Sequence, residues 1–486
     1  MKVILGLNRN SRVPLYRQFY ESIRKAILKR QFPPGYRLLG TRQMAGEFGI
    51  SRNTIAAAIG LLIAEGYLES RSRSGVFVSR KIPDDLIYIE PRKVIAKKRS
   101  TSNRMLPDRG RAIAAIRVNW QERPAPLRPF TPCLPSVAEF PIQIWARLAS
   151  RRLRTPVRSL WNYGDARGYQ PLREMIAAHL GAFRGVRCTA DQVIIVSGTQ
   201  QAVDLTARIL LNPGSSVWVE DPGYLGTRGA LLAAQAKLAP VPVDQNGIRV
   251  DLGKKISPKA RLVCVTPSNQ YPLGVTMSLE RRLELLEWVQ KSRAWIFEDD
   301  YDSEFRYDSR PLAALQGLDS NERVIYAGTF SKVLNPVLRL GYLVVPSDLI
   351  EAFTAAKAAV DRHSPLIEQM ILADFLEQNH FVRHIRRMRN LYSERRQALI
   401  SSIESKMSGS LEIVSSAAGL HLTVLLRKNK NDLQIARKAS TQGIESEPLS
   451  VFYLNANVHH GLILGFAPFS EKEIHQSISK LASLVT

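Results

Sequence analysis

The chain has 486 residues, more than one hydrophobic core of ordinary size accommodates, so at least two domains are expected. Hydrophobic residues make up 45% and charged residues 23%, as is typical of a soluble globular protein. Lys and Arg number 68 against 43 acidic residues, giving a net charge of +25. This excess favours a polyanionic partner such as nucleic acid, although composition alone leaves a generally basic surface equally open.

Targeting and metal signals are absent from the sequence. The cysteines Cys133, Cys188 and Cys264 are widely spaced, which predicts no metal site and suits a reducing cytosol. The apolar run at 3–7 is too short for a signal peptide, and no apolar run is long enough to span a bilayer. We therefore expect a cytoplasmic protein without a membrane partner.

Residues 1–80 carry three helical patterns followed by two short strands. The first helix begins at Pro14, extends to Arg30 and is ended by 33–35. Thr41 is expected to cap a second helix over 42–48, and Ser51 a third over 52–65. A basic turn then joins strands expected at 67–70 and 76–79. A helix, a helix-turn-helix and a basic hairpin together predict an α+β winged helix.

This first domain carries residue types that suit DNA recognition. A helix N-terminus can donate backbone N–H groups to phosphate, and Arg52 and Asn53 can reach base edges in the major groove. Arg42 could bind phosphate or base, and Gly75 would let a basic wing approach the minor groove. Any one of these residues could instead be a solvated cap, but the ordered set is more specific than its members. The predicted DNA-binding residues are Arg42, Ser51, Arg52, Asn53, Thr54 and Gly75.

Five short motifs carry a resemblance to a known DNA-binding family. They are Arg37-Leu38, Thr41-Arg42, Gly49 to Thr54, Glu65 to Leu68 and Ser74 to Val78. With them the domain resembles the GntR family of winged-helix regulators, which implies binding to double-stranded promoter DNA. The family commonly has Pro-Ser where this chain has Leu39-Gly40, a difference that bears on the contacts of that turn and not on the fold.

Residues 81–130 break the pattern with repeated prolines and a basic run at 97–99. We interpret this stretch as a mostly extended linker with a short helix near 111–117. It could lie along DNA or serve as a solvated tether, and the tether is the simpler interpretation.

Strands and helices alternate from residue 131 to 486. Apolar runs separated by helices imply a mostly parallel α/β sheet covered on both faces, with a small α+β subdomain from 411 onward. The expected strands are 193–196, 216–219, 262–265, 294–297, 324–326 and 341–345. The expected helices are 171–180, 200–211, 279–290 and a long helix over 365–400.

Several strand ends in this domain carry residues that suit pyridoxal phosphate. The amine of Lys332 can form a Schiff base, Asp299 can hold a protonated ring nitrogen, and Tyr301 can donate to the ring's phenolate oxygen. Tyr224 could stack on the ring. The phosphate could be held at a helix start and by two further donors, through Gly198, Thr199, Gln200, Thr329 and Arg339. Each motif alone is common in other settings, but their joint occurrence in this order predicts a cofactor site.

From about residue 130 to its end, the chain resembles fold-type I aminotransferases. Tyr163-Gly164-Asp165 and 168–173 match that family's early block. The resemblance implies that Tyr163 reaches the phosphate of a neighbouring subunit, and hence a homodimer. A GntR-like domain joined to this one is typical of the MocR subfamily of regulators, which 298–305 and 386–392 also resemble.

Two departures from aminotransferases bear on activity. Tyr271 stands where those enzymes carry an Asn near the ring, and Asn269 stands where MocR relatives often have His. By the same resemblance, aminotransferases hold a substrate carboxylate with an Arg at the position of Ile463. Arg228 or the pair His459-His460 could substitute, or could be surface residues.

Three functions follow from these patterns. The first is a transcription factor that senses pyridoxal phosphate, or an amino compound that reacts with it, through Lys332. The second is an active aminotransferase with an accessory DNA-binding domain. The third is a DNA-binding protein whose large domain serves only for dimerisation. The missing Arg at Ile463 favours the first over the second.

Overall fold

The computed structural model describes residues 7–9, 11, 13–72, 74–82, 106–115, 127–154, 163–307, 312–415, 417–427, 430–455 and 459–485. The chain divides into two compact units, Met1–Arg104 and Met105–Thr486. Most of the predicted linker, including the basic run at 97–99, lies outside the described residues. Among the linker residues that the structure describes, 108–115 form a helix, close to the helix expected at 111–117.

The first unit is a winged helix, as predicted. Its elements are α1 (Leu15–Leu28), α2 (Thr41–Phe48), α3 (Arg52–Ala64), β1 (Leu68–Arg71) and β2 (Gly75–Val78). Helices α2 and α3 meet at 119°, within the range of a helix-turn-helix. The antiparallel strands β1 and β2 form the wing, with Leu68 opposite Val78.

Local sequence accounts for most of this unit. The hydroxyl of Ser51 accepts a hydrogen bond from the backbone N–H of Thr54, so Ser51 caps α3 as expected. The prediction for Thr41 was wrong, because Gly40 is the N-cap of α2 and Thr41 is already helical. Apolar side chains from all three helices and both strands of the wing form one core, including Phe19, Ile23, Ile27, Met44, Ile55, Leu62, Leu68 and Val78.

The second unit is built on a mixed sheet. Its helices are α4 (Asp108–Ala115), α5 (Ile142–Arg154), α6 (Gln170–Arg184), α7 (Thr199–Leu210), α8 (Leu225–Ala233), α9 (Val250–Ile256), α10 (Leu279–Ser292), α11 (Leu315–Leu318), α12 (Ile350–Asp361), α13 (Leu366–Glu377), α14 (His380–Met407), α15 (Asp432–Thr441) and α16 (Glu471–Val485). Its strands are β3 (Val193–Val196), β4 (Ser216–Asp221), β5 (Lys237–Asp244), β6 (Gly247–Ile248), β7 (Leu262–Val265), β8 (Trp295–Asp300), β9 (Val324–Thr329), β10 (Gly341–Val344), β11 (Leu411–Ser415), β12 (His421–Leu426), β13 (Glu447–Pro448) and β14 (Gly461–Gly465).

Strand order places the carboxyl ends of most strands at one edge of the sheet. The order is β3-β10-β9-β8-β7-β4-β5-β6, and the neighbours from β9 to β5 are parallel. Strand β10 runs antiparallel to both β3 and β9, so its amino end lies at that same edge. Ligands of open α/β sheets bind there, outside the carboxyl ends of the strands.

Burial of the strands explains their apolar runs. Every residue of β3, β7, β9 and β10 is buried, which requires cover on both faces and confirms the predicted α/β class. The long helix expected over 365–400 was wrong in one respect: it is two helices, α13 and α14. Asn379 separates them in the left-handed conformation, with φ of 59°.

The carboxyl-terminal portion forms the predicted small α+β subdomain. Its antiparallel sheet has the order β11-β12-β14-β13, and α14 and α16 pack beside each other. Phe130 bridges to Gly465 of β14, so the chain enters the domain alongside this sheet. The residues that follow Phe130 therefore lie between the small sheet and the edge of the large one.

Candidate cofactor site and nucleic-acid interface

A cavity of about 470 Å³ lies at the edge where the strands of the large sheet end. Residues after β3, β4 and β9 and before β10 reach it, because those chain ends meet at this edge. It brings together the cofactor residues predicted within one subunit, namely Gly198, Thr199, Gln200, Tyr224, Asp299, Tyr301, Thr329, Lys332 and Arg339. Residues that lie up to 141 positions apart in the chain therefore share one cavity.

Asp299 is the buried acid of this cavity. It lies on β8, and its Oδ1 accepts a hydrogen bond from the hydroxyl of Thr199 at 3.2 Å. Burial raises the pKa of Asp299 to about 7, and the hydrogen bond from Thr199 opposes that rise. A cation placed beside this carboxyl would favour its ionised form, which is the role predicted for a partner of a protonated ring nitrogen.

Tyr301 is oriented by a buried amide. The side chain of Asn269 donates to the hydroxyl of Tyr301 and to the carboxyl of Asp302, each at 3.0 Å. Asn269 and Asp302 are almost fully buried. Asn269, which stands where MocR relatives often have His, thus orients the hydroxyl of Tyr301, a predicted cofactor-binding group.

Backbone and guanidinium groups form a cradle at one end of the cavity. Gly198 has φ of +130°, and a Cβ added there would lie 3.8 Å from the Nη atoms of Arg339. The glycine directly precedes the first residue of α7, whose N-terminal N–H groups favour an anion. The buried hydroxyl of Ser331 has no hydrogen-bond partner among the described residues, and neither has the buried Oε1 of Gln200, which as an amide oxygen can only accept. The N–H groups of the helix start, the guanidinium of Arg339 and the hydroxyl of Ser331 are donors that fit a phosphate group.

Lys332 contributes a primary amine to the lining of the cavity. It is partly buried, and its Nζ donates a hydrogen bond to the backbone carbonyl oxygen of Cys133 at 2.8 Å. Cys133 has φ of +59°, the left-handed region, and lies three residues after Phe130. The segment that leads from the predicted linker into the domain is therefore in direct contact with the candidate Schiff-base lysine.

Aromatic side chains form another wall. Tyr224 precedes α8 and meets Tyr271 edge to face, with ring centroids 5.8 Å apart. The hydroxyl of Tyr271 donates to Oε2 of Glu447 at 3.1 Å. Sequence reasoning missed Cys133, Glu447 and Phe452 as cavity residues, since none carries a local signal for such a role.

The candidates for a substitute carboxylate-binding group are not among the lining residues of this cavity. Arg228 is buried, donates to the backbone carbonyl of Phe452 and lies 3.6 Å from Asp221, and it is not among the lining residues of the cavity. Nδ1 of His460 lies 3.0 Å from Asp432, whereas His459 is exposed. The pair His459-His460 is therefore not placed at the cavity. Arg228 lines a small adjoining pocket together with Tyr224, Thr266 and Asp299, and its expected role remains a prediction.

Tyr163 does not line the cavity of its own chain. Its side chain is 68% exposed, and the guanidinium carbon of Arg362 lies 3.5 Å from the centre of its ring. Its expected reach to the phosphate of a neighbouring subunit remains a prediction.

The predicted DNA-binding residues lie at the surface of the first unit. Arg42, Arg52 and Asn53 are exposed, while Thr54 is partly buried and shares a 2.7 Å contact with the Ser51 hydroxyl. Gly75 is exposed with φ of +110°, and a Cβ there would lie 3.3 Å from Nε of Arg37. The wing therefore brings its glycine close to an exposed arginine, Arg37, which is not among the DNA-binding residues predicted from the sequence.

Other kinds of site find no support among the described residues. No group of three or more His, Cys, Asp or Glu side chains there could hold a metal ion. No single helix in that part of the chain is both long and apolar enough to cross a membrane.

Comparison with known proteins agrees with the two-part organisation. Residues 15–78 match the gntR family of bacterial regulatory proteins, and residues 139–476 match aminotransferase class I and II. The chain is 40% identical to the probable rhizopine catabolism regulatory protein MocR of Rhizobium meliloti, over 99% of this chain and 95% of that protein.

Two further similarities extend this agreement. The chain is 27% identical to the pyridoxine biosynthesis transcriptional regulator PdxR of Corynebacterium glutamicum, over 99% and 98% of the two chains. Its fold is similar to the crystal structure of LysN, the alpha-aminoadipate aminotransferase of Thermus thermophilus complexed with N-(5'-phosphopyridoxyl)-L-leucine. That similarity has a TM-score of 0.71 and 26% identity, and covers 77% and 96% of the two chains.

Proposed function

The chain belongs to the MocR subfamily of GntR-type transcriptional regulators, and we propose that it senses pyridoxal phosphate, or an amino compound that reacts with it, through Lys332. Its aminotransferase-like domain implies pyridoxal phosphate as the cofactor. In this proposal the first unit binds double-stranded promoter DNA as part of a homodimer, and the second unit controls that binding.

The residues of the cavity fit each part of the cofactor. Gly198, Arg339 and Ser331 would hold the phosphate, because the structure places a helix start, a guanidinium and an unpartnered buried hydroxyl together. Asp299 would hold the ring nitrogen, and Tyr301 the ring hydroxyl. Bound pyridoxal phosphate would supply an aldehyde that reacts with primary amines and a ring that withdraws electrons.

The observation that carries a sensory role is the hydrogen bond from Lys332 Nζ to the carbonyl of Cys133. Phe130, three residues before Cys133, is attached to the small sheet: its backbone carbonyl accepts a hydrogen bond from the N–H of Gly465 in β14 at 2.9 Å. If the amine of Lys332 formed a different bond, the carbonyl of Cys133 would lose this hydrogen-bond donor. The predicted linker ends at Phe130, so the change would reach the chain that leads to the DNA-binding unit.

The test combines a spectrum with DNA binding. Purified protein should acquire a visible absorption band with pyridoxal phosphate and should shift DNA from upstream of its own gene at moderate salt. Lys332→Ala and Lys332→Arg should both lose the band and the response of DNA binding to ligand, while both still bind DNA. The arginine variant retains the charge, so it separates covalent capture from electrostatics. No DNA binding, or no Lys332-dependent band, would contradict the proposal.

Aminotransferase activity is the second candidate, favoured by the complete set of cofactor-contacting residue types in the cavity. Against it, the position of Ile463 carries no guanidinium, and Arg228 lies outside the cavity. Steady conversion of an amino donor and a keto acid, lost in Lys332→Ala, would establish this function instead.

A further inference from the structure

The turn that follows β4 contacts both the cofactor cavity and the small subdomain. Tyr224, at the end of this turn, lines the cavity and precedes α8. Asp221, the last residue of β4, binds the small subdomain instead. Its Oδ1 accepts a hydrogen bond from the backbone N–H of Leu454 at 2.7 Å, and its Oδ2 accepts one from the N–H of Asn455 at 3.1 Å. One carboxylate thus holds two consecutive peptide groups of the small subdomain.

Two further groups of the large domain hold Phe452, which lies two residues before Leu454. The backbone N–H of Gly223 donates to the carbonyl oxygen of Phe452 at 3.1 Å, and Nη2 of Arg228 donates to the same oxygen. The side chains of Arg228 and Asp221 lie 3.6 Å apart and are only 7% and 2% exposed. A buried ion pair and one backbone N–H therefore fasten residues 452–455, the fastened segment, to the turn after β4.

The fastened segment supplies part of the cavity wall. Phe452 and the preceding Val451 line the cavity, and the ring of Phe452 meets that of Tyr271 edge to face, with centroids 5.4 Å apart. The place of the Phe452 ring in this wall depends on its backbone, which Asp221 and Arg228 hold. Asp221 is not among the described residues that line the cavity, so its effect on a bound ligand passes through Phe452.

We propose that Asp221 is a positioning residue for the amine effector: by holding the fastened segment, it sets the place of the Phe452 wall relative to the amine that is read at Lys332. The inference rests on the proposed function, because it concerns the ligand of that same cavity. It makes the wall a determinant of specificity. Binding of amines large enough to contact Phe452 depends on Asp221, whereas binding of the smallest amines and of the cofactor does not.

Two primary amines that differ in size provide the test. The full-length protein loaded with pyridoxal phosphate is titrated with methylamine, which is too short to reach the wall, and with benzylamine, whose ring packs on aromatic side chains. The visible band is the readout. Asp221→Asn has one amide oxygen where the carboxylate accepts two N–H bonds, so benzylamine should bind about ten-fold more weakly. The affinities for methylamine and pyridoxal phosphate should stay within about two-fold. Amide hydrogen exchange at 454 and 455 should accelerate.

A matched control and a second variant assign the effect to its source. Asp244→Asn is the control: Asp244 is the last residue of β5, the strand beside β4, and lies 3.2 Å from Arg281 and outside the described cavity lining. Neither amine should bind this variant differently. Arg228→Met removes the donor to the Phe452 carbonyl but leaves both bonds to Asp221, and should weaken benzylamine binding about three- to ten-fold. This variant provides the test if Asp221→Asn does not fold.

The outcomes separate this inference from the function beneath it. A normal band with unchanged benzylamine affinity in Asp221→Asn and Arg228→Met would overturn the inference alone. Parallel losses for methylamine and benzylamine, or equal effects of Asp221→Asn and Asp244→Asn, would overturn it as well, because the effect would then not pass through the Phe452 wall. Absence of any Lys332-dependent band would overturn the proposed function and the inference with it.

Discussion

The hydroxyl of Thr199 donates to Oδ1 of Asp299 at 3.2 Å, which joins the first residue of α7 to the buried end of β8. The same helix start faces the phosphate cradle at Gly198. This hydrogen bond thus links Asp299, the acid expected at the ring nitrogen, to the start of α7, whose backbone N–H groups are expected to bind the phosphate. We therefore expect the strength of cofactor binding to depend on both residues.

Replacing Asp299 with Asn should weaken pyridoxal phosphate binding about ten-fold or more, because the neutral amide cannot pair with a protonated ring nitrogen. The amide oxygen can still accept from Thr199, so the fold should be unaffected. Titration of the visible band measures the change. Thr199→Ser keeps the hydroxyl donor and is the control. Equal affinities for the Asn variant and the unmodified protein would contradict the assigned role of Asp299.

The stability of the unloaded protein should fall as the pH rises from about 6.5 to 8. Burial raises the pKa of Glu298 and Asp299 to about 7 and that of Asp302 to about 8, well above the values near 4 of unfolded chains. In this window the folded state still binds protons that the unfolded state has released. Folding is then penalised progressively, until the pH exceeds the folded pKa values.

Thermal unfolding at a series of pH values measures this slope, which is at most about 1.4 kcal/mol per pH unit for each ionising group. The partly buried His179 and the buried His384, whose pKa values desolvation lowers to about 4, act in the opposite direction only below about pH 6.5. Asp299→Asn should flatten the dependence between pH 6.5 and 8. An unchanged slope in that variant would show that Asp299 is ionised in both states.

Arg52 is predicted to contribute base or phosphate contacts, because it is exposed at the first position of α3. Arg52→Ala should reduce affinity for operator DNA about ten-fold or more without changing thermal stability. Arg17→Ala is the control, since Arg17 is an exposed arginine of α1, 4.0 Å from Glu21. Equal losses in both variants, measured by mobility shift at fixed salt, would indicate an effect of net charge alone.

Ser51 and Thr41 offer a matched test of capping. Ser51→Ala removes the bond to the N–H of Thr54 at 3.1 Å and should lower the free energy of unfolding of the first unit by about 1 kcal/mol. Thr41→Ala should cost much less, because Gly40 is the N-cap of α2. Denaturant unfolding measures both variants. A similar cost at the two positions would contradict the assignment of Ser51 as the capping residue.

The difference between these two positions shows which features the sequence could predict. Apolar runs such as 193–196 and 262–265 became strands with those same bounds, because burial on both faces demands an unbroken apolar run. The helix boundaries depend on the backbone conformation of single residues, which the sequence specifies only weakly. Asn379 adopts the left-handed conformation and interrupts what had been expected to be one long helix. An asparagine within a helical pattern does not by itself predict such a break.

The cavity was predictable only where its residues follow strands. Asp299 and Lys332 stand at strand ends, and the carboxyl ends of parallel strands meet by necessity. Cys133 and Glu447 reach the cavity from the entry segment and from the small sheet, through contacts of high sequence separation. Strand β5 was missed because Pro240 and Pro242 argue against a strand.

Arg339 should act on the phosphate and on no other part of the cofactor. It lies beside Gly198 at the cradle, ahead of β10, with φ of +51°. Arg339→Ala removes a planar donor that can form two hydrogen bonds with phosphate, so pyridoxal phosphate should bind about ten-fold or more weakly. Pyridoxal, which lacks the phosphate, should bind the variant and the unmodified protein alike. Titrations of the visible band with both compounds separate these effects. Parallel losses for both would mean that Arg339 supports the cavity as a whole and not the phosphate.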